Sequence, residues 1–332
     1  MKPNKKQLIF IALSFITIGA ILVAIAFSLG ARTGVYWENG RFRVSERRVQ
    51  NYMESKTITK SFEDFERIKN IEIKGLDFYT IDFNESDRFE IEATYYYEDE
   101  LPLFEVEDGK LTIKTQAEER FQITNFDFDV LSEDERPYLY ISYPTGMTLD
   151  DIEISSDYAT IFLNMLNGKS LTLDGNYLEG NGIGCEFEKV EIKSDFSHYD
   201  WRESFFKKLE LKMDYTEMTM ADSQLNTLTS KTDYGALLFE NCTVTGETEF
   251  DFNYTTIDFY GDLMDKNKFK GDFGNISLKL NELDTYDYKI DIDMGDILID
   301  DVGFSEKIEK MTHASKVLDI KGSFTEVILE EN

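Results

Sequence analysis

Between residues 157 and 324 an acidic or amide residue followed by an aromatic recurs at almost constant spacing. The pairs are Asp157-Tyr158, Asn176-Tyr177, Asp195-Phe196, Asp214-Tyr215, Asp233-Tyr234, Asn253-Tyr254 and Asp272-Phe273, with Asp293-Met294 and Ser323-Phe324 holding the same frame. From Tyr158 to Met294 the steps between second residues are 19, 19, 19, 19, 20, 19 and 21. The chemistry this spacing offers is a column of carboxylates. Stacked at the strand spacing of about 4.8 Å, neighbouring charges repel by roughly 0.9 kcal/mol in water. A hard cation such as calcium relieves that repulsion by bridging carboxylates, which makes Asp195, Asp214 and Asp233 the candidate metal ligands. The competing reading places Asp and Asn at turns, where their side chains bond nearby backbone and tolerate left-handed geometry. Asn176 and Asn253 suit a turn as well as a site. The run Gly180-Asn181-Gly182-Ile183-Gly184 has the glycine content of a calcium repeat but lacks the Asp such a repeat needs.

Other chemistry is thinly supplied. The chain has two histidines, His198 and His313, in different repeats, and neither has a Ser or Cys partner defined by spacing. No glycine-rich phosphate loop, Cys-x-x-Cys or His-Glu-x-x-His occurs. With 65 acidic residues, paired carboxylates of the kind polysaccharide-cleaving enzymes use arise by accident. Tyr199 and Trp201 could stack on sugars, but their alternating positions match core columns. No catalytic or cofactor-binding residue is assigned, and calcium is the one cofactor considered.

The elements that position these residues are short strands. Four places before the paired aromatics lie Ile154, Leu173, Ile192, Leu211, Ser230, Phe250 and Phe269; three and five places after lie pairs such as Ile161/Leu163, Tyr199/Trp201 and Leu237/Phe239. This is period-two patterning with one buried face. Asp77-Phe78, with Ile81 and Phe83, is an earlier copy separated from the rest by residues 86–146. A unit of about 19 residues cannot bury its own apolar face, whereas stacked copies can. The expected fold is all-β: a β-solenoid of parallel β-helix type, with rungs stacked in chain order from Asp157 to Leu329 over roughly 45 Å. The 86–146 meander is expected to cap one end, and Glu330-Glu331-Asn332 to charge the other against edge pairing. Cys185 and Cys242 are 57 residues apart, three rungs of one column, with Ser204 and Ser223 between them. Three rungs span about 14 Å, beyond disulfide reach, so both are expected as free, buried thiols.

Ahead of the repeats, Lys2, Lys5 and Lys6 precede an uncharged run from Leu8 to Ala31. Twenty-four residues of helix extend about 36 Å, enough for a hydrocarbon core of about 30 Å. The run is longer than the apolar core of a secretory signal, and no cysteine near its end offers a lipid attachment. The expected organisation is a cytoplasmic N-terminus (1–7), a transmembrane anchor (8–31), a juxtamembrane hairpin and stalk (32–60) turning at Asn39-Gly40, an N-terminal β region with the capping meander (61–149), and solenoid repeats (150–332). The N-terminal lysines favour the N-terminus inside and the repeats outside the cell membrane, although Arg32, Arg41, Arg43, Arg47 and Arg48 oppose that bias. With 35 Lys+Arg against 65 Asp+Glu the net charge is −30. A nucleic-acid partner is excluded, since a phosphate backbone would be repelled.

The junction Tyr143-Pro144-Thr145-Gly146-Met147-Thr148-Leu149-Asp150-Asp151-Ile152-Glu153-Ile154 leads into the contiguous repeats. Together with the recurring unit and the N-terminal anchor, it resembles the "putative adhesin" β-strand-repeat domain of unknown function found in membrane-anchored Gram-positive bacterial proteins. The resemblance covers residues 61–332. Many members carry Gly at the rung centre, where this chain mostly has Tyr or Phe, with Gly235, Gly274 and Gly295 just after it. It implies an extracytoplasmic solenoid, with some members encoded beside cell-envelope stress systems, and it supplies no catalytic residues. The functional expectation is a non-enzymatic, membrane-anchored protein that binds a cell-wall polymer or an envelope protein. The alternatives are an accessory regulator of envelope-stress signalling and a carbohydrate-active enzyme.

Overall fold

The computed structural model describes residues 34–38, 41–44, 55–62, 65–96, 101–115, 121–125 and 136–332. The expected membrane span 8–31 lies outside these residues. Among the described residues no helix is long and apolar enough to cross a membrane, and apart from the 3-10 turns Phe65–Arg67 and Leu283–Thr285 the regular structure is β.

The chain divides into two units. The first comprises residues 1–53 and 117–135. In it, Gly34–Glu38 pairs antiparallel with Arg41–Val44 on either side of Asn39-Gly40, and with Phe121–Asn125 on its other edge.

The second unit comprises residues 54–116 and 136–332 and holds the repeats. Each rung contributes one strand to each of two parallel stacks, a solenoid-like winding. One stack runs Asn70–Lys74, Thr148–Ser155, Asn167–Asp174, Glu186–Asp195, Phe205–Asp214, Gln224–Asp233, Thr248–Asn253 and Lys266–Asp272. The other runs Thr80–Ser86, Thr160–Asn164, Glu179–Ile183, His198–Arg202, Glu217–Ala221, Ala236–Val244, Thr256–Leu263 and Asn275–Leu280. Register follows the sequence repeat: Ile192 lies beside Leu211, and Tyr199 beside Met218. The inward rows of both stacks form one continuous buried core.

Within that core the largest side chains are accommodated by the smallest. Tyr199 and Trp201 are fully buried, and their register partners are Gly180 and Gly182. A Cβ on Gly182 would stand 2.1 Å from the Trp201 ring, and one on Gly180 would stand 2.4 Å from Tyr199. The glycine-rich run is thus a packing device for the following rung.

At the N-terminal end the Phe78 rung stacks directly on the Tyr158 rung, and residues between them, together with the preceding strand Lys56–Ser61, extend both stacks. Tyr138–Pro144, Glu90–Tyr95 and Lys56–Ser61 continue one stack; Lys110–Thr115 and Pro102–Glu107 continue the other.

At the C-terminal end two expectations are corrected. Rungs do not stack in chain order, because Lys316–Ser323 pairs with Lys266–Asp272 on one side and with Tyr286–Ile299 on the other. Glu326–Glu331 likewise lies between Asn275–Leu280 and the end of the long strand. The Phe324 rung therefore sits between those of Phe273 and Met294. For the same reason Glu330 and Glu331 do not guard the outer edge: Val302–Lys310 covers it, antiparallel to Tyr286–Ile299. A 19-residue frame specifies which residues share a column, and does not specify the order in which equivalent rungs fill it.

Candidate functional site

The Asp-aromatic pairs form one corner of the rung, between the two stacks. The alternation shifts there. Residues two before the aromatic, such as Ser194, and one after, such as Ser197, are buried, while the two between them point outward. Consecutive outward residues require a left-handed turn, and every ring residue has a φ between 47° and 66°. Each ring residue donates its N–H to the carbonyl of the pair's first residue in the next rung: Tyr177 to Asp195 at 2.9 Å, Tyr215 to Asp233 at 2.9 Å, Phe273 to Ser323 at 2.9 Å. Left-handed backbone costs a side-chain-bearing residue roughly 1–2 kcal/mol. The rings offset it by stacking.

Among the described residues nine rings form a single column in the order Phe78, Tyr158, Tyr177, Phe196, Tyr215, Tyr234, Tyr254, Phe273, Phe324. Successive centroids are 4.6–5.2 Å apart and ring planes deviate by 2–10°. Eight steps at a strand spacing of about 4.8 Å give a ladder of roughly 38 Å. Each ring is 44–52% exposed. The seven interior rings have both faces covered by neighbours, so the ladder presents edges and tyrosyl hydroxyls. A sugar stacked face-on has no place along it. The Phe324 end is flanked by an open groove of about 320 Å³ lined by Tyr254, Thr255, Thr256, Phe273, Gly274, Asn275 and Phe324.

The carboxylate column runs beside the ladder. Asp195, Asp214 and Asp233 are register partners in successive rungs. Side-chain oxygens of this column accept backbone N–H groups from the next rung: Asp77 from Asp157 at 2.9 Å, Asp157 from Asn176 at 2.7 Å, Asp272 from Ser323 at 3.0 Å. Asn253 donates its amide to Asp233 at 3.0 Å. Burial, with Asp195 and Asp233 on either side, pushes the Asp214 carboxyl above its usual value, against a backbone hydrogen bond from Asp233 that lowers it. Asp77 is raised mainly by burial. Among the described residues no three His, Cys, Asp or Glu side chains converge as a metal-binding group. The structure aligns the three candidate aspartates in a file, in which Asp214 accepts the backbone N–H of Asp233 and Asp233 the side-chain amide of Asn253.

The remaining singled-out residues lie away from this corner or inside the core. Cys185 and Cys242 are free and buried, with burial pushing both thiols up to about 11. Ser204 and Ser223 continue the Cys185 column, each accepting the N–H of the previous rung, from Cys185 at 3.2 Å and from Ser204 at 3.0 Å. His198 approaches exposed Glu217 at 3.7 Å. The sequence frame picks out every ladder residue, but its turn reading covers only the neighbouring Asp and Asn and does not reveal that the rings stack in the open. The aromatic position continues the inward phase of the strand before it (Ile192, Ser194, Phe196) and falls out of phase with the strand after it (Ser197, Tyr199, Trp201), so alternation alone reads it as buried.

This architecture matches the Toastrack DUF4097 family over residues 68–323, from just before the first rung to the last. The chain belongs to that family. A solved structure from Parabacteroides distasonis, described as a putative adhesin, is 10% identical and covers 85% of this chain and 98% of its own, with a TM-score of 0.49. A second, from Parabacteroides merdae and also described as a putative adhesin, is 11% identical with the same coverage and a TM-score of 0.43. A putative cell adhesion protein from Clostridium sporogenes is 13% identical over 84% of this chain and 100% of its own, with a TM-score of 0.22. No curated protein matches the chain.

Proposed function

We propose that this Toastrack chain is a non-enzymatic binding protein, held in the cell membrane by residues 8–31 with its repeats outside, and that it contacts a cell-wall polymer or envelope protein through the aromatic ladder. The carrying observation is the ladder itself. Nine half-exposed rings in one line form a contiguous apolar strip of a kind that soluble surfaces usually reserve for contacts. The strip is held rigid by hydrogen bonds at every rung, so binding a straight, repetitive partner costs little ordering entropy. The uncharged run Leu8–Ala31 supports the anchor, and the lysines before it support an inside N-terminus.

The test is cosedimentation of residues 32–332 with purified Gram-positive sacculi retaining their wall polymers, and with envelope membrane vesicles. The comparison protein carries Tyr177→Asn, Tyr215→Asn and Tyr254→Asn, since asparagine accepts left-handed backbone better than other side chains do. The native protein should pellet with one of the two preparations, and the variant should remain in solution while still folded by circular dichroism. Equal pelleting of both proteins, or pelleting of neither, contradicts the reading.

A further inference from the structure

The last rung occupies a place that the chain has already passed. Residues up to Leu280 fill their positions in order; Tyr286–Ile299 then lies one rung further on, and only Lys316–Glu331 closes the gap. Until that segment arrives, the slot has strand edges on both sides and apolar rows facing inward. What fills it is generic to the repeat: Leu318, Ile320, Val327 and Leu329 are fully buried, and Phe324 extends the ladder, stacked on Phe273 at 4.8 Å. Two facing unpaired edges do not stay empty. Any identical segment meets the same register, and the nearest source is another copy of this chain.

The connection to this insert is short and gripped at one point. Residues 311–315 link Val302–Lys310 to Lys316, and His313 in their middle has a φ of 68°, a strained value for a histidine. Asp287, 3% exposed, receives the Thr312 N–H at 2.6 Å, the Thr312 hydroxyl at 2.7 Å and the Ala314 N–H at 3.0 Å. One carboxylate thus folds the connection back toward its own slot. Exchange of an identical element between protomers is an inexpensive route to a two-fold dimer, and short strained hinges favour it. We propose that residues 316–331 are an exchangeable insert through which two copies of this chain form a segment-swapped dimer, and that Asp287 is the latch that keeps the insert in its own chain.

Register supplies the test. Asp272 and Ser323 are partners across the slot, at a spacing of about 4.8 Å that suits a disulfide. Two full-length chains, one with Asp272→Cys and one with Ser323→Cys, are co-expressed with Cys185→Ser and Cys242→Ser in both, then oxidised and run on a non-reducing gel. A covalent dimer is expected from the mixed pair and not from either chain alone, and Asp287→Ala in both chains should raise its yield at least threefold. A single chain carrying both new cysteines reports closure in cis. If that chain closes its internal disulfide while the mixed pair gives no dimer with either residue at 287, the swap is overturned. Equal dimer from either chain alone also overturns it. An unchanged yield in folded Asp287→Ala overturns the latch; should Asp287→Ala fail to fold, Asp287→Asn, which keeps the acceptor oxygen but not the charge, is expected to show a smaller rise.

Discussion

At the scale of single residues, the ladder is a compromise between backbone strain and ring stacking. Tyr215 holds a φ of 52° while touching Phe196 and Tyr234, both at 4.8 Å. Removing the ring while retaining a Cβ forfeits the stacking and keeps the strain; removing the Cβ as well relieves it. Tyr215→Ala should therefore be less stable than Tyr215→Gly by about 1 kcal/mol, with both below the native chain, as measured by urea denaturation. An alanine variant equal to the glycine variant would show that the corner carries no strain. The neighbouring column yields a pH-dependent prediction. A carboxyl whose folded pKa is raised opposes folding when ionised, and that penalty fades as pH falls through the raised value. Asp214→Asn, which copies the chain's own Asn176 and Asn253, should raise the melting temperature at pH 7, and the gain should shrink in acid. Reading the sequence was enough to put Asp214 in the recurring column, as a turn residue or a cation ligand. It was not enough to reveal the exposure of Tyr215, because exposure depends on the backbone bending at that residue, and a side chain's type does not report the sign of its φ.

At the scale of elements, rungs fit one another as matched pairs of strands. Gly182 lies under Trp201, so Gly182→Val should destabilise the unit by about 1–3 kcal/mol through overpacking. Trp201→Leu should recover part of that loss in the double variant, a coupling that denaturation of the four proteins would measure. The outer faces are matched by charge. Glu191 accepts Lys193 at 2.9 Å, Lys189 at 3.1 Å and Lys212 at 3.1 Å, and this lysine cluster, led by Lys193, lowers its carboxyl to about 2. A lowered carboxyl stabilises the fold above its unfolded value and loses that contribution as pH falls from about 4.5 toward 2. The cluster faces solvent, so Glu191→Gln should cost well under 1 kcal/mol at pH 7 and nothing near pH 2. Strand identity and column membership were legible from period-two alternation and the 19-residue step. The place of Lys316–Glu331 was not, since Leu318 and Ile320 fit any slot whose neighbours present the same inward rows.

At the scale of the repeat unit, the corner combines an apolar strip with a file of carboxylates, several of which accept a backbone N–H or an amide from the next rung, and among the described residues no three acidic side chains converge. Residues 32–332 should therefore melt at the same temperature in calcium and in chelator. A calcium-dependent rise would mean preferential cation binding to the folded chain and would direct attention to Asp195, Asp214 and Asp233. The ladder, by contrast, is available along its whole length, and the proposed function depends on that availability. Oxidative footprinting of tyrosines on the free and sacculus-bound protein tests it most directly. In the free protein Tyr158, Tyr177, Tyr215, Tyr234 and Tyr254 should be modified readily while buried Tyr143, Tyr199 and Tyr286 are spared. On binding, the ladder tyrosines should become protected together. Ladder tyrosines that react equally in the bound and free protein, or that are as inert as Tyr199 when free, would contradict the account.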